Sequence, residues 1–518
     1  MKLGRDTFVR YWDVHAWAGV LVSLVLYMML LTGGMTLFHE PLELWEEPLN
    51  QVSVSRGDAL GAADRWLASV QDLPDTARVY LPRGEGHGLA SFYAAPPGEE
   101  SELLFLHAHE PGATAAREHL AHFTYQLHFL WHDLTGRPVY WFAGFIAFVM
   151  LVTLITGLLI HLQHLARAFH QFRAHKTRRV LWSDMHKVLG VMGLPFQLLY
   201  AFTGAFMVLG PVLLGAFLGP VFGGDRARAS EAAFGLAPPV IDDAGERVAV
   251  LPLEALVARA QAAAPDLAID TVVLYRHGHE HALVDVRGLV GQAPTTFGAV
   301  RLREVDGEVI DVNAPRTRGA SAELVRFVYG VHYAHFGGWG TRLVLFLLAL
   351  AACGTVLTGN AVWLARRDPL GQRVGNRVLA RLSAGVGAGV WAALGVIFVV
   401  SRALPLDLPG RGGVEELSFL GALTLCVIAA LCTEDARRTW AVQLGVAAVC
   451  FALAPVLAPL RSGAGVLGGG VRLPYVVAVD CGLWLTAVVC GAGAFALRRR
   501  ARVARALATP DTELEVAT

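Results

Sequence analysis

The sequence predicts a mainly α-helical polytopic membrane protein with eight spans, and three observations carry that prediction. Of 518 residues, 54% are hydrophobic and 17% charged, at a mean hydropathy of +0.48, which is too apolar for a soluble globule of this length. The apolar residues gather in eight runs that can serve as membrane helices across a hydrocarbon layer ~30 Å thick. Basic residues collect at alternate ends of those runs, as the positive-inside rule requires. Lys plus Arg equals Asp plus Glu, so the net charge of zero points to no nucleic-acid partner. The six cysteines lie in apolar stretches with no C-x-x-C or C-x-x-C-H pattern. That excludes the usual zinc, thioredoxin and covalent c-type signatures.

Taken in order, residues 1–15 carry Lys2, Arg5 and Arg10, and residues 16–38 are apolar without a charge, a retained first span rather than a signal peptide. Residues 39–125 are polar and repeatedly broken by proline. A helical pattern at 58–71 and strand-like runs at 78–81 and 90–94 predict a small α+β domain outside the membrane. The second span, 139–161, is entered through Gly136-Arg137-Pro138. The loop 162–181 holds Arg167, Arg173, Lys176, Arg178 and Arg179 and no acid, so it is cytoplasmic, as is the N-terminus. A third span, 186–210, should be kinked by Pro195. Residues 211–325 form a second outer α+β domain, with a helix at 253–263 and strands at 269–275, 281–286, 298–303 and 308–312. The fourth span, 341–364, ends at Arg366-Arg367.

Four more apolar runs, 384–401, 417–432, 440–458 and 474–497, occupy residues 380–500 and precede a tail at 501–518. Arg437-Arg438 and Arg498-Arg499-Arg500 keep the alternation, which places the C-terminus inside as well. These four spans hold no histidine and, within the membrane, no acid but Asp480. The glycines at 385–389 and 468–470 fit helix contact or a loop, and the role of the four spans is not legible.

The first 367 residues are a repeat. Trp12-Asp13-Val14-His15 is followed by Gly19 and Thr32-Gly33; Trp182-Ser183-Asp184-Met185-His186 is followed by Gly190 and Thr203-Gly204 at the same offsets. At ~100° per residue His15, Gly19 and Gly33 share one helix face, an imidazole above two places without a side chain. Such a face suits a flat, bulky, histidine-bound ligand. Downstream, His128 precedes Thr156-Gly157 and His332 precedes Thr358-Gly359, with histidine-to-glycine offsets of 29 and 27. Residues 1–175 and 176–367 run in the same direction through the bilayer, so their symmetry axis lies along the membrane normal. Under it, His15 pairs with His186 at the inner surface and His128 with His332 at the outer one.

Paired imidazoles are the usual axial ligands where iron porphyrin transfers electrons without binding oxygen, because both faces of the iron are closed. Two non-covalent haems, at His15/His186 and His128/His332, are therefore expected, with Gly19, Gly190, Gly33 and Gly204 giving them room. An isolated histidine at such a place reads as a cap or a snorkelling side chain; the repeated spacing turns the reading to ligation. His161 has no counterpart, Trp363 standing in its place. It could replace His15, bond a propionate or serve a third haem. Asp13 and Asp184 read as helix-start caps, and Arg167, Arg173, Arg178 and Arg179 as topology determinants. His132 and His335 read as surface or propionate contacts, and His39 as interfacial or near the outer site. His107, His109 and the alternating His277, His279 and His281 read as solvated strand faces, with metal binding open to the last three.

These residues also resemble a known family. Tyr125-Gln126-Leu127-His128, Thr156-Gly157-Leu158-Leu159-Ile160-His161, the stretch from Trp182 through Leu194-Pro195-Phe196 to Thr203-Gly204, and His332 to Gly338 look like the PepSY-associated transmembrane family, over roughly residues 8–367. The resemblance implies a bacterial inner-membrane location, periplasmic PepSY-like domains and, in one branch, haem reductases that release iron from ferric siderophores. Two departures stand out: Gln197 where many relatives have a histidine, and residues 380–518 beyond the minimal family. The expectation is a diheme b-type transmembrane oxidoreductase. It would take electrons from a cytoplasmic or membrane donor and pass them to a periplasmic acceptor, and the resemblance alone makes that acceptor a ferric siderophore. A non-catalytic regulatory or protease-inhibitory PepSY protein and a transporter are the alternatives.

Overall fold

The protein is seen in a computed structural model that describes residues 4–46, 54–70, 73–81, 91–94, 102–106, 113–115, 120–130, 136–162, 172–173, 176–291, 297–317, 319–334, 336–368, 372–405, 408–462 and 474–506. His107, His109, His132, His335, Arg167 and the glycines at 468–470 lie outside the described residues. In chain order the elements are α1 (Arg5–Thr36), α2 (His39–Glu46), α3 (Arg56–Ser69), β1 (Thr76–Tyr80), β2 (Ser91–Ala94), β3 (Glu102–Leu106), β4 (Ala113–Ala115), α4 (Leu120–His128), α5 (Arg137–His161), α6 (Arg178–Met192) and α7 (Leu194–Phe222). They continue as α8 (Arg226–Phe234), α9 (Leu253–Ala263), β5 (Leu267–Tyr275), β6 (Leu283–Val290), β7 (Phe297–Arg303), β8 (Val309–Asn313), α10 (Ala320–Tyr333), α11 (Gly338–Arg367), α12 (Val374–Ala403), α13 (Arg411–Cys432), α14 (Ala436–Ser462) and α15 (Pro474–Ala506). Among the described residues eight helices, α1, α5, α7 and α11 to α15, are long and apolar enough to cross a bilayer, so this is a multi-pass membrane protein with a lipid-facing surface.

The chain divides into two compact units, Met1–Glu46 with His119–Phe202 and Leu345–Thr518, and Glu47–Glu118 with Thr203–Val344. The first unit is helical. α1 begins at Arg5, eleven residues before the apolar run, so His15 sits on its third turn and Asp13 lies within the helix rather than capping it. α5 starts as expected, with Pro138 in its first turn behind Gly136 at φ 80°. Pro195 does kink the third span: it has no N–H for the carbonyl of Val191, and the chain turns at Gly193 before Gln197 N–H bonds Gly193 O at 2.8 Å. The helix then runs to Phe222 through Pro211 and Pro220, past the expected end at 210.

α12 is the best buried of the spans. Its glycines explain why: a Cβ on Gly385 would stand 2.8 Å from Ala430 Cβ, one on Gly389 2.7 Å from Cys426 Cβ, and one on Gly395 2.8 Å from Cys450 Cβ, so α13 and α14 pack directly on its backbone. α12 also meets α1, where the Tyr27 hydroxyl donates to Gly387 O at 2.7 Å and accepts from Trp391 Nε1 at 3.0 Å. Asn360 of α11 donates to Ser23 and Ser383, which stitches α1, α11 and α12 together. The expectation that Asp480 is the only acid in the last four spans does not hold. α13 starts at Arg411, and Glu415 is fully buried in an ion pair with it at 2.7 Å.

The second unit corrects the expected pair of separate outer domains. Helix and strands appear where predicted, but the two segments share one eight-stranded antiparallel sheet in the order β4-β3-β2-β1-β5-β6-β7-β8. Each segment supplies a helix followed by a four-stranded meander, α3 with β1 to β4 and α9 with β5 to β8. The two meanders join through their first strands, Val79 opposite Val272, both fully buried. Pairing the two leading strands removes one exposed edge from each meander, and Leu256, Ile269, Val284, Val286, Val300 and Leu302 complete the core. His277, His279 and His281 fall in the turn between β5 and β6, not on the face of a strand as their alternation predicts.

Candidate functional site

The geometry that carries most information lies on α1, α5, α6 and α11. His15 Nδ1 is 2.8 Å from the carbonyl oxygen of Thr153, and His186 Nδ1 is 2.9 Å from that of Thr355. A carbonyl only accepts, so each ring carries its proton on Nδ1 and its lone pair on Nε2. Neither Nε2 has a hydrogen-bond partner among the described residues. The two ring centroids are 6.0 Å apart at an interplanar angle of 66°. With metal–nitrogen bonds of about 2.0–2.1 Å and roughly 1.1 Å from nitrogen to ring centre, two imidazoles on opposite sides of one ion stand roughly 6.3 Å apart. The rings are thus spaced for one ion between them.

The repeated Thr-Gly pair has a physical role. In α5 the Thr156 hydroxyl donates to Val152 O at 2.8 Å and to Thr153 O at 3.0 Å, so it shares the carbonyl that His15 uses. In α11 the Thr358 hydroxyl does the same to Gly354 O and to Thr355 O, the carbonyl that His186 uses. The glycine after each threonine, four residues past the shared carbonyl, leaves space for the ring. A Cβ on Gly157 would lie 2.9 Å from His15 Cε1, and one on Gly359 3.2 Å from His186 Cε1. The same device recurs at the other end of α1, where His128 Nδ1 is 2.8 Å from Met29 O, Thr32 bonds Met28 O and Met29 O, and a Cβ on Gly33 would come 2.5 Å from His128 Cε1. Gly33 therefore gives its space to an imidazole. Gly19 and Gly190 face the methyl groups of Thr153 and Thr355 at 3.5 and 3.7 Å, ordinary contact, which makes them packing positions between the two spans of each repeat.

His332 belongs to the second unit and is held differently. Its Nδ1 is 2.8 Å from the Thr203 hydroxyl, the threonine just before Gly204. A hydroxyl can donate or accept, so this contact leaves the tautomer to the other nitrogen. His161 is the last residue of α5. Its counterpart Trp363 packs against Trp17 at 4.7 Å between ring centres, under the Arg367 guanidinium at 4.4 Å. The two halves therefore differ at this position, a histidine in one and a tryptophan in the other.

Asp184 is not a cap: it is the seventh residue of α6 and is buried. Arg173 Nε and Nη2 bond its carboxylate at 2.9 Å, and Lys187 Nζ is 3.0 Å away. The guanidinium first, then the ammonium, holds the carboxyl well below the usual range. Asp13 meets Arg367 at 3.3 Å. His39 pairs with Glu43 at 2.9 Å and stacks edge-on against Tyr125, which packs on Phe129 beside His128. Among the described residues His277, His279 and His281 form no metal cluster; they bond Glu304, backbone oxygens of Arg276 and His277, and Asp243 O respectively. The carbonyl partners of His15 and His186 escaped the sequence reading. Their signal was present in Thr153-x-x-Thr156-Gly157 and Thr355-x-x-Thr358-Gly359.

Comparison with known proteins agrees with the repeat. The family described as the PepSY-associated TM region matches residues 12–366, which takes in all four histidine-bearing segments and stops before α12. An uncharacterized protein of Pseudomonas aeruginosa is 29% identical over 278 residues, 51% of this chain and 69% of the relative.

Proposed function

The chain belongs to the PepSY-associated TM region family, and we propose that within it this protein is a diheme b-type transmembrane oxidoreductase. In this reading it sits in a bacterial inner membrane with both termini cytoplasmic. It passes electrons from a cytoplasmic or membrane donor to a periplasmic acceptor, and the acceptor is a ferric siderophore. The observation that carries the reading is the His15–His186 pair: two rings 6.0 Å apart, each locked by its Nδ1–H onto a carbonyl with the lone pair of Nε2 left to ligate.

His15 and His186 would hold one haem b, which when bound supplies one-electron transfer with little change at its metal. Everything else is done by the chain. The carbonyls of Thr153 and Thr355 fix the tautomer and make each imidazole a stronger donor. Gly157 and Gly359 let the rings seat against α5 and α11, and the apolar helices limit access of water. The repeat assigns His128 and His332 the corresponding role for a second haem, and Met29 O gives His128 the same tautomer. Because His15 and Met29 are fourteen residues apart on one continuous helix, their levels differ by roughly 21 Å along its axis. One helix thus holds two histidine stations at a fixed separation. Reduction of ferric to ferrous iron weakens hard-oxygen chelation, which is why a ferric siderophore is a chemically sensible acceptor.

The test is an absorption spectrum of detergent-purified protein, oxidised and dithionite-reduced, with pyridine haemochrome quantification. About two b haems per chain support the proposal. A colourless protein made with ample porphyrin supply removes it in favour of a regulatory role, and substrate uptake by vesicles without reductant would favour a transporter.

A further inference from the structure

The four helices beyond the family match have a readable task. We infer that Trp45 is a positioning residue through which α12 and α15 set the placement of the helix that carries His128. The inference rests on the haem reading for the meaning of that placement, though not for the contacts themselves.

α2 is short and its last two residues are fully buried, Trp45 at 0% and Glu46 at 2% exposure. Glu46 acts on α4: one carboxylate oxygen accepts from Leu120 N at 2.8 Å and the other from Ala121 N at 2.9 Å. An anion that takes the first two amides of a helix complements its positive end and fixes its axis. α4 has nine residues and ends at His128, so whatever fixes its start also fixes the imidazole.

Trp45, next to Glu46, is met by three side chains of the extension. Its indole Nε1 donates to Asp480 Oδ1 of α15 at 2.7 Å. The Arg402 guanidinium of α12 lies 3.5 Å over the ring and also donates to the Trp45 carbonyl. Phe398 of α12 packs against the ring at 5.5 Å. The extension covers one face of α4 as well, with Phe419 of α13 at 5.2 Å from Phe123. Arg402 and Asp480 are buried in apolar helices at 7% and 3% exposure, where a charge without a specific partner is costly. Each of them meets the same tryptophan. Packing alone would be served as well by apolar residues; a cation on the ring face and an anion at its edge fix both its tilt and its rotation.

The test uses the full-length protein in detergent and three variants. Trp45→Phe keeps a ring beneath Arg402 and deletes the N–H donated to Asp480. Asp480→Asn keeps an acceptor and deletes the charge. Gln443→Leu, whose amide bonds Cys426 O within the extension, loosens the same four helices without touching α2. Two readouts are taken: amide hydrogen exchange along 120–128, and a spectroscopic redox titration that resolves the two b components. The inference predicts about tenfold faster exchange in α4 for Trp45→Phe. It also predicts a shifted midpoint for one b component and not the other in both Trp45 and Asp480 variants, with neither effect in Gln443→Leu. Unchanged midpoints with both haems present, or equal shifts in all three variants, overturn the inference and leave the haem reading standing. A parent protein without haem overturns the haem reading and with it the positioning role, whatever the exchange data show.

Discussion

Replacing Gly157 by alanine should disturb the paired-histidine site while leaving the fold nearly untouched. The added Cβ would stand 2.9 Å from His15 Cε1 and 3.0 Å from Nδ1. Carbon contacts become comfortable near 3.5 Å, so the ring must retreat by roughly 0.6 Å. A retreat of that size stretches the 2.8 Å bond to Thr153 O to about 3.4 Å, beyond the normal hydrogen-bond range. Overpacking and the weakened bond cost about 1–3 kcal/mol. Alanine returns about 1 kcal/mol of helix propensity, so global stability changes little. A ligand that loses its orienting partner loses about 10–100-fold in metal affinity. Gly19→Ala is the matched control on α1, because its Cβ would meet Thr153 Cγ2 at an ordinary 3.5 Å. The assay is haem titration of the cofactor-depleted variants, with melting temperature measured in parallel. Parent-like affinity in Gly157→Ala, or equal loss in Gly19→Ala, would refute the reasoning.

Three further outcomes follow from the same geometry. Gly33→Ala, with its Cβ only 2.5 Å from His128 Cε1, should perturb the second b component in a redox titration and spare the first. Tyr27→Phe removes the acceptor of the Trp391 indole N–H and the second donor to the Gly387 carbonyl in the α1–α12 contact and should cost about 1–3 kcal/mol in detergent unfolding, with both spectral components retained. Burial raises the Asp64 carboxyl above its ordinary 3.8, against the bond from Leu253 N. A raised acid favours the folded state fully below its unfolded pKa, and the gain is lost as pH rises through the folded value. Asp64→Asn keeps the acceptor for Leu253, so it should match the parent near pH 3 and equal or exceed its stability at pH 7; a larger loss at pH 7 than at pH 3 would contradict the sign.

The spans and the histidine repeat were legible because each is a local pattern, a run of apolar residues or a fixed offset along one helix. Four things were not, for different physical reasons. The joining of two domains into one sheet depends on β1 meeting β5 across some 190 residues of chain, and no local pattern specifies which strand edge finds which partner. Arg402, Arg411 and Glu415 fall just outside the expected spans, which stop where charge begins because charges are costly in apolar surroundings, and Asp480 stood alone within one; the structure buries all four by setting Arg411 against Glu415 and both Arg402 and Asp480 against Trp45. Gly33 was read as room for a ligand, whereas it is room for a histidine of another helix, as is Gly157, which the repeat marked without a role. Asp184 resembled a cap because it lies near the start of the apolar run, but α6 had begun six residues earlier and its carboxylate anchors Arg173 and Lys187.

The proposed function requires His15 and His186 to hold the same haem iron. Low-temperature electron paramagnetic resonance of the oxidised, detergent-purified protein tests it most directly, with His186→Ala beside the parent. Two low-spin ferric signals of bis-imidazole type in the parent, one of them lost or turned high-spin in His186→Ala, is the predicted result. A parent without low-spin ferric haem, or a variant whose two signals match the parent's, would contradict it.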